Sequence, residues 1–273
     1  MNRSFDHLVL AVDDLDAASE FYEKIGFKLT PRAQHPFGTG NRLVQLQGCF
    51  LELLGVTQPE DIPPDNDNVF NFGAYNQDYL TRGQGLSMIV LQTKDAAADR
   101  KDFSAQGLET YDLFNFSRLA ELPDGSKVTV GFTLAFTAEI DLPEAMVFTC
   151  QQWRPDLFWK SEYQIHPNGA QTIKEVFLIG NEQAPANRLI KGIKLDPIRG
   201  KVSVMSMADF EKRFDGVSVP NGRFGGYSII VNELVSVRRY MEKNEVPYID
   251  KNASLWITPN YGFGSVIEFT TLL

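Results

Sequence analysis

Residues 5–55 alternate between short apolar runs and one amphipathic segment. The run 5–12 is typical of a buried strand, and residues 17–25 place apolar side chains at helical spacing. Gly26 is the residue type that commonly ends a helix, and three strand-like runs follow it, the last at 50–54. This order of elements predicts one βαβββ unit.

The same order begins again after an acidic, proline-containing connector at 58–71, which predicts a loop. The apolar run 86–91 predicts the first strand of a second unit, residues 95–103 its helix, and Gly107 the end of that helix. The rest of this unit is predicted as a turn at 123–126 and strands near 127–136 and 145–153. The chain therefore repeats the βαβββ order.

Two later segments look like degraded copies of the unit. The third copy is predicted as strand 171–180, helix 185–193 and strand 201–206, and the fourth as strand 226–231, helix 234–243 and strand 265–269. We therefore predict an α+β fold of four βαβββ modules in two pairs, with curved mixed sheets and the helices outside. The predicted domains are residues 1–165 and 166–273.

Composition and charge restrict the class of protein. A length of 273 residues suits one large domain or two of ordinary size, and 43% hydrophobic residues are enough for a substantial core. The net charge of −9 argues against a nucleic-acid partner, because binding a phosphate backbone requires a basic face. We expect a small-molecule ligand and a monomer or homodimer.

The lengths of the apolar runs and the positions of the cysteines indicate the cellular compartment. The longest apolar runs have strand length, and the first residues contain no apolar signal core, so we expect a cytoplasmic protein without a membrane partner. Cys49 and Cys150 lack the spacing of metal ligands and fall in predicted strands. We expect both to be buried free thiols.

Two polar residues interrupt the apolar strands of the first unit. His7 falls in its first strand and Glu52 in its last. A carboxylate in such surroundings needs a partner, because an unpaired buried charge is costly, and a cation would serve both residues. A His and a Glu at these two places resemble the half-site of the vicinal oxygen chelate superfamily, which includes glyoxalase I, ring-cleaving dioxygenases and antibiotic-resistance proteins. Residues 35–44 and 166–170 resemble the glyoxalase-like domain branch of that superfamily.

The resemblance implies that His7 and Glu52 are metal ligands and that Glu52 is catalytic. The implied cofactor is a divalent ion of Fe, Mn, Ni or Zn, which would act as a Lewis acid on adjacent oxygens of the substrate. Lyase, isomerase and dioxygenase chemistry all occur among such relatives. The resemblance alone does not choose between them.

In the superfamily, the partner module supplies a second pair of ligands. When the modules are aligned on the glycines that end their helices, Met88 or Ser87 corresponds to His7. The same alignment places residues 150–152 opposite Glu52, where an amide oxygen would bind a hard cation weakly. The predicted ligand set is therefore incomplete.

Two other histidines are candidates for the missing ligand or for contacts with the substrate. His35 and His166 both precede proline in Gly- or Asn-containing turns, and either would restore a third ligand by entering the cavity from a loop. The alternative interpretation is that each hydrogen-bonds to neighbouring backbone. For Glu52 the alternative is an ion pair with Arg42 on an adjacent strand, and for His7 it is a hydrogen-bonded core histidine.

The remaining candidates are substrate contacts. Asn41 and Arg42 follow a glycine-containing turn, and a guanidinium there is a plausible anchor for a carboxylate or carbonyl group. Gln152, Trp153 and Trp159 combine an amide with aromatic surface, as many small-molecule sites do. The alternatives are a hairpin connector for the first group and aromatic residues that cap the sheet for the second.

Two hypotheses follow for the function. The first is a glyoxalase-like protein that binds a small oxygen-rich organic molecule and performs metal-assisted chemistry, with His7 and Glu52 as ligands. The second is a small-molecule-binding or sequestering protein of the same fold without metal. The missing second ligand pair favours the second hypothesis, and the retained His7 and Glu52 favour the first.

Overall fold

The computed structural model describes residues 3–66, 68–121, 127–180, 183–196, 198–220 and 222–272. Over these ranges the chain is a mixed α+β protein, and its strands form a curved, open mixed sheet. The turn predicted at 123–126 lies outside the described residues. The predicted fold class is therefore confirmed, whereas the count of four modules stays a prediction.

The first module has the predicted βαβββ order. It consists of β1 (Phe5–Ala11), α1 (Leu15–Lys24), β2 (Ala33–Gln34), β3 (Thr39–Gln45) and β4 (Phe50–Val56). Helix α1 begins earlier than predicted because Asp14 is its cap, and the Asp14 carboxylate accepts hydrogen bonds from the N–H groups of Asp16 and Ala17. Gly26 follows the helix with φ of +87°, a conformation that favours glycine.

The second module follows a connector that contains a helix the sequence analysis did not predict. This helix is α2 (Phe72–Thr81), and Asn76 stands in the middle of its buried face, which hides the apolar period. The module itself comprises β5 (Gly85–Gln92), α3 (Ala96–Ala105), β6 (Glu109–Thr110), β7 (Phe114–Glu121), β8 (Lys127–Ala138) and β9 (Met146–Gln152). The short α4 (Pro155–Phe158) leads out of it.

The C-terminal half contains one shortened and one full repeat of this order. The shortened repeat comprises β10 (Ala170–Ile179), α5 (Gln183–Ile193) and β11 (Lys201–Met205), and it is followed by α6 (Met207–Arg213). The full repeat comprises β12 (Phe224–Val231), α7 (Leu234–Lys243), β13 (Ile249–Lys251), β14 (Ser254–Ile257) and β15 (Val266–Thr270). Helix α6 was not predicted.

Both halves use the same strand pairing. At the centre of each half, two strands from neighbouring modules run antiparallel: β1 with β5, and β10 with β12. Each central strand then has a parallel partner from its own module, in the pairs β1–β4, β5–β9, β10–β11 and β12–β15. A bridge between Leu86 and Phe224 joins the halves into one sheet.

Apolar residues from both halves meet in one large core. Leu8 and Leu10 of β1 pack there with Tyr227 and Ile229 of β12, and the Tyr22 hydroxyl is hydrogen-bonded to that of Tyr227. The opposite face of the strands in each half, here called the inner face, carries a smaller apolar cluster of its own. The division into domains 1–165 and 166–273 stays a prediction, since the halves share a sheet and a core.

None of the helices within the described ranges has both the length and the apolar character needed to cross a membrane.

The contact between the halves leads to a test with a matched control. Gly264 has φ of +77°, and a Cβ there would lie 1.9 Å from the Gln84 carbonyl oxygen, whereas Gly107 has φ of +78° with no atom within 4 Å. We expect Gly264→Ala to lower the free energy of unfolding by about 3 kcal/mol or more, because backbone must move, and Gly107→Ala by about 1 kcal/mol. Urea unfolding of both variants measures the difference. Equal losses would contradict the close contact.

Candidate active site

A β-bulge at the start of β1 places two ionisable residues on the same side of the sheet. The register against β5 shifts between Phe5 and His7, so Asp6 is the extra residue. The Asp6 carboxylate accepts a hydrogen bond from Nδ1 of His7 at 2.7 Å and a second from the Gln152 amide at 3.0 Å. Because an ionised carboxylate only accepts, the proton of His7 lies on Nδ1, and Nε2 faces Glu52.

Glu52 is held on the inner face of the N-terminal half by its neighbours. Its Oε1 accepts a hydrogen bond of 2.5 Å from the Asn41 amide, and its Oε2 lies 3.6 Å from Nε2 of His7. Nε2 of His35 lies 3.8 Å from Oε1. Each of these four side chains belongs to a residue that is at most 6% exposed. The carboxylate therefore lies among two imidazoles and an amide.

His35 is neutral in this cluster. Burial lowers its pKa to about 4, although Glu52 opposes the shift. Nδ1 of His35 lies 2.8 Å from the Thr39 hydroxyl, and Nε2 lies 3.2 Å from the Asn41 amide nitrogen. The neutral imidazole therefore accepts at Nε2 from Asn41, whose NH₂ group donates one hydrogen to His35 and the other to Glu52.

Aromatic side chains enclose this polar cluster. The ring of His7 stacks on Phe50 with a centroid distance of 4.2 Å, and the ring of His35 stacks on Phe37 at 4.9 Å. The residues bound a cavity of about 50 Å³, which holds only a small chemical group. Further walls come from Leu43, Phe72, Phe116, Phe132, Leu134, Phe148, Cys150 and Phe158. The carboxylate of Glu52 therefore faces mostly apolar surface.

The cavity adjoins an open depression, here called the outer basin. It has a volume of about 420 Å³ and lies between β3, β7 and residues 157–163. Asn41, Leu43, Arg118 and Phe158 line both the cavity and the outer basin. A ligand therefore reaches the polar cluster from the outer basin by passing between these four side chains.

The second module does not supply a matching ligand pair. In the first module, His7 of β1 pairs with Phe50 of β4, and Glu52 lies two residues further along β4. In the second module, Met88 of β5 pairs with Met146 of β9, and Phe148 lies two residues further along β9. Met88 and Phe148 therefore occupy the corresponding positions. The expectation that residues 150–152 of the second module correspond to Glu52 of the first was wrong, because the strand register makes Phe148 the corresponding residue.

These residues do not complete a metal site. Among the residues that the structure describes, no group of three or more His, Cys, Asp or Glu side chains is arranged to hold a metal ion. His7 and Glu52 provide two donors, and Met88 and Phe148 provide no oxygen or nitrogen donor. His35 is not a third ligand in this arrangement, because the Asn41 amide contacts both its Nε2 and the nearer oxygen of Glu52.

The corresponding positions in the C-terminal half carry two carboxylates that share an arginine. The register places Gly226 at the His7 position and Glu268 at the Glu52 position, while Glu175 and Ser203 correspond to Met88 and Phe148. The guanidinium of Arg213, from the end of α6, donates hydrogen bonds to both carboxylates, at 3.2 Å to Glu175 and 2.8 Å to Glu268. A side-chain cation therefore neutralises this second pair.

Three other predicted contacts lie outside the cavity. Arg42 points to the opposite face of β3, where it pairs with Glu23 at 3.0 Å, so the expected alternative of an Arg42–Glu52 ion pair was wrong. Trp153 is 50% exposed and covers Gly131. Nδ1 of His166 accepts from the backbone N–H of Lys28, and its Nε2–H donates to the Gln45 carbonyl.

Two of the predicted contacts support the site from a neighbouring cleft. Gln152 holds Asp6 through its amide nitrogen, as described above. Trp159 packs edge-on against Phe50 and Phe158, at centroid distances of 5.7 and 5.3 Å. Both residues line the cleft on the far side of Asp6. Gln152 and Trp159 therefore support residues of the cavity wall from behind and do not line the cavity themselves.

Asp6 and Arg118 are two residues of the site that were not predicted from the sequence. Simple alternation along β1 assigns Asp6 to the face opposite His7, and only the bulge reverses this assignment. Arg118 ends an alternating series with Phe114 and Phe116 on one face of β7, a strand that the analysis did not delimit. That series was the available signal.

Burial of His35 generates a prediction about stability and pH. Since its pKa is about 4 in the folded protein and near 6.5 in an unfolded chain, the unfolded chain binds more protons between these values. Its contribution is therefore complete above pH 6.5 and decreases as the pH falls to 4, by about 3 kcal/mol. We expect urea unfolding at pH 7 and pH 4 to show a smaller acid-induced loss for His35→Gln than for the original protein. Equal losses would contradict a buried neutral His35.

Comparisons with known proteins agree with this architecture. A sequence model described as a glyoxalase-like domain matches residues 5–193. No curated protein matches the chain. Among solved structures, a hypothetical protein from Staphylococcus aureus is similar over 100% of both chains, with a TM-score of 0.67 and 16% identity.

Two further solved structures are similar over nearly the whole of this chain. A mutant of 4-hydroxymandelate synthase from Streptomyces coelicolor covers 97% of this chain and 91% of its own, with a TM-score of 0.56 and 11% identity. A fusion protein of a xylose isomerase-like TIM barrel and 4-hydroxyphenylpyruvate dioxygenase covers 98% of this chain and 48% of its own, with a TM-score of 0.55 and 9% identity. At such identities the similarity concerns the fold alone. On the match over residues 5–193, the chain belongs to the glyoxalase-like domain family of the vicinal oxygen chelate superfamily.

Proposed function

We propose that this protein binds a small oxygen-rich organic molecule at the cavity and catalyses proton transfer on it, with Glu52 as the base. The observation that carries the proposal is the placement of the Glu52 carboxylate: it is 5% exposed, faces aromatic side chains, and adjoins an accessible basin. A carboxylate that is fixed by its neighbours beside a cavity that a ligand can reach is in position to take a proton from a bound molecule.

The neighbouring residues suit such a reaction. Asn41 fixes one oxygen of Glu52, so the other oxygen is directed towards His7 and the cavity. Asp6 fixes the tautomer and ring orientation of His7, as a carboxylate does for a catalytic histidine. A pure binding protein would have no use for this set of buried polar groups, whose burial costs free energy.

The proposed step is redox-neutral. The Glu52 carboxylate takes a proton from a carbon next to a carbonyl group, and the electron pair of the broken C–H bond moves to the carbonyl oxygen. The proton then returns from Glu52 to another position of the resulting enolate, which gives an isomer. Where a leaving group stands on the next carbon, its departure instead gives a lyase product.

Proton exchange tests this role of Glu52. In deuterated water, the loss of C–H signals from a panel of 2-oxo acids and thiol adducts of dicarbonyls is followed by proton NMR. We expect exchange with the original protein and a loss of about a hundred-fold or more in Glu52→Gln, since general-base catalysis contributes about that factor. Glu23→Gln, an exposed carboxylate on α1, is the control. Undiminished exchange in Glu52→Gln would overturn the proposal.

A second candidate function is metal-assisted chemistry at His7 and Glu52. The specific observation in its favour is the hydrogen bond between Asp6 and Nδ1 of His7, which leaves Nε2 available beside Glu52, as in many metal-binding histidines. Such an ion would polarise oxygens of the substrate, and water or substrate would have to provide its remaining ligands.

Removal of metal separates the two candidates. We expect proton exchange to persist after treatment with EDTA, because the described residues offer only the His7 and Glu52 donors. Elemental analysis before and after treatment shows whether any ion was present. Loss of exchange that Mn, Fe, Ni or Zn restores in the original protein, with no metal retained by His7→Ala, would establish the metal-assisted function instead.

A further inference from the structure

The outer basin carries a charge opposite to that of the protein as a whole. Three cationic side chains line it, those of Arg32, Arg118 and Lys160. The described residues that line it include no Asp or Glu, although the chain has a net charge of −9. Arg32 lies 3.5 Å from Asp16, both of them largely exposed, which is a weak pair. A local cluster of cations on an acidic protein favours an anionic ligand.

Arg118 is the cation that connects the basin with the cavity. It lies on β7 beyond Phe114 and Phe116, and it lines both spaces. Glu52 attracts this guanidinium electrostatically, but the hydrogen bond of Glu52 goes to Asn41. The planar N–H groups of an arginine match a carboxylate in two parallel hydrogen bonds.

We propose that the ligand is an organic acid whose carboxylate is bound by Arg118 in the outer basin while its uncharged, oxygen-bearing end enters the cavity. This inference rests on the proposed function and names the class of molecule for the same site. The orientation follows from charge: a carboxylate placed inside the cavity would be repelled by Glu52, and in the basin it meets Arg32, Arg118 and Lys160.

The sizes of the two spaces agree with this orientation. The cavity, at about 50 Å³, accepts a small group, whereas the basin, at about 420 Å³, has room for a larger, solvated one. Asn41 lies at the junction of the two spaces, next to Glu52. The reacting carbon would therefore lie next to Glu52, with the acid group on the side of Arg118.

A matched pair of probes tests the inference by binding alone. 4-Oxopentanoate and its neutral amide, 4-oxopentanamide, have nearly the same shape and differ in charge, and each carries a small uncharged carbonyl group at its other end. By isothermal titration calorimetry at low salt, we expect the carboxylate to bind about ten- to a hundred-fold more tightly than the amide. In Arg118→Gln this preference should fall to near unity, while the affinity for the amide stays unchanged.

Control variants separate this inference from the proposed function. Arg238→Gln removes a partly exposed cation that pairs with Asp250 on the C-terminal half, and it should keep the preference. Glu52→Gln should keep it too, although it stops proton exchange. Equal affinity for the two probes, or a preference that survives in Arg118→Gln, would overturn the anion inference and leave the exchange result standing. Failure of both probes to bind at millimolar concentration would also overturn it, whereas loss of the proposed function would appear only in the exchange assay.

Discussion

The arrangement of the N-terminal half depends on one buried negative charge. The carboxylate of Glu52 lies among aromatic rings, where an unsolvated charge is costly, and the surrounding structure reduces that cost in a specific way. Asn41 donates to it directly, and the same amide fixes a neutral His35. The hairpin of β2 and β3, which carries both residues, is thereby tied to β4 by polar side-chain contacts in addition to the pairing of β3 with β4.

The apolar packing is concentrated on the other side of the strands. Leu8 and Leu10 of β1 face the core that both halves share, while His7 and Val9 lie on the inner face, where His7 lines the cavity. A strand that is rigidly packed on one face can hold functional groups on the other with little freedom, which is the requirement for positioning a base. The C-terminal half therefore contributes to the site by supporting the back of β1 and β5.

The sequence predicted those parts of the fold that follow from the spacing of apolar residues and from the residues that end helices. The strands 5–12 and 50–54 and the helix 234–243 were located closely, because apolar alternation and helix-ending residues mark them. His7 and Glu52 stood out as polar residues in apolar runs. What the sequence did not reveal depends on register: the bulge at Asp6 breaks alternation, and the correspondence of Phe148 with Glu52 follows from strand pairing, which the spacing of glycines does not fix. Helix α2 was not predicted because the polar Asn76 interrupts the apolar pattern of its buried face.

Arg213 gives the two halves different relations to their surroundings. A guanidinium that belongs to the chain stays at a fixed concentration beside Glu175 and Glu268, whatever the solution contains. No chelator removes it, because it is covalently part of the chain. The C-terminal half thus carries its counter-ion permanently, whereas the cavity beside Glu52 exchanges its contents with the solvent. The site beside Glu52 is therefore open to chemical control from outside, whereas the pair of Glu175 and Glu268 is not.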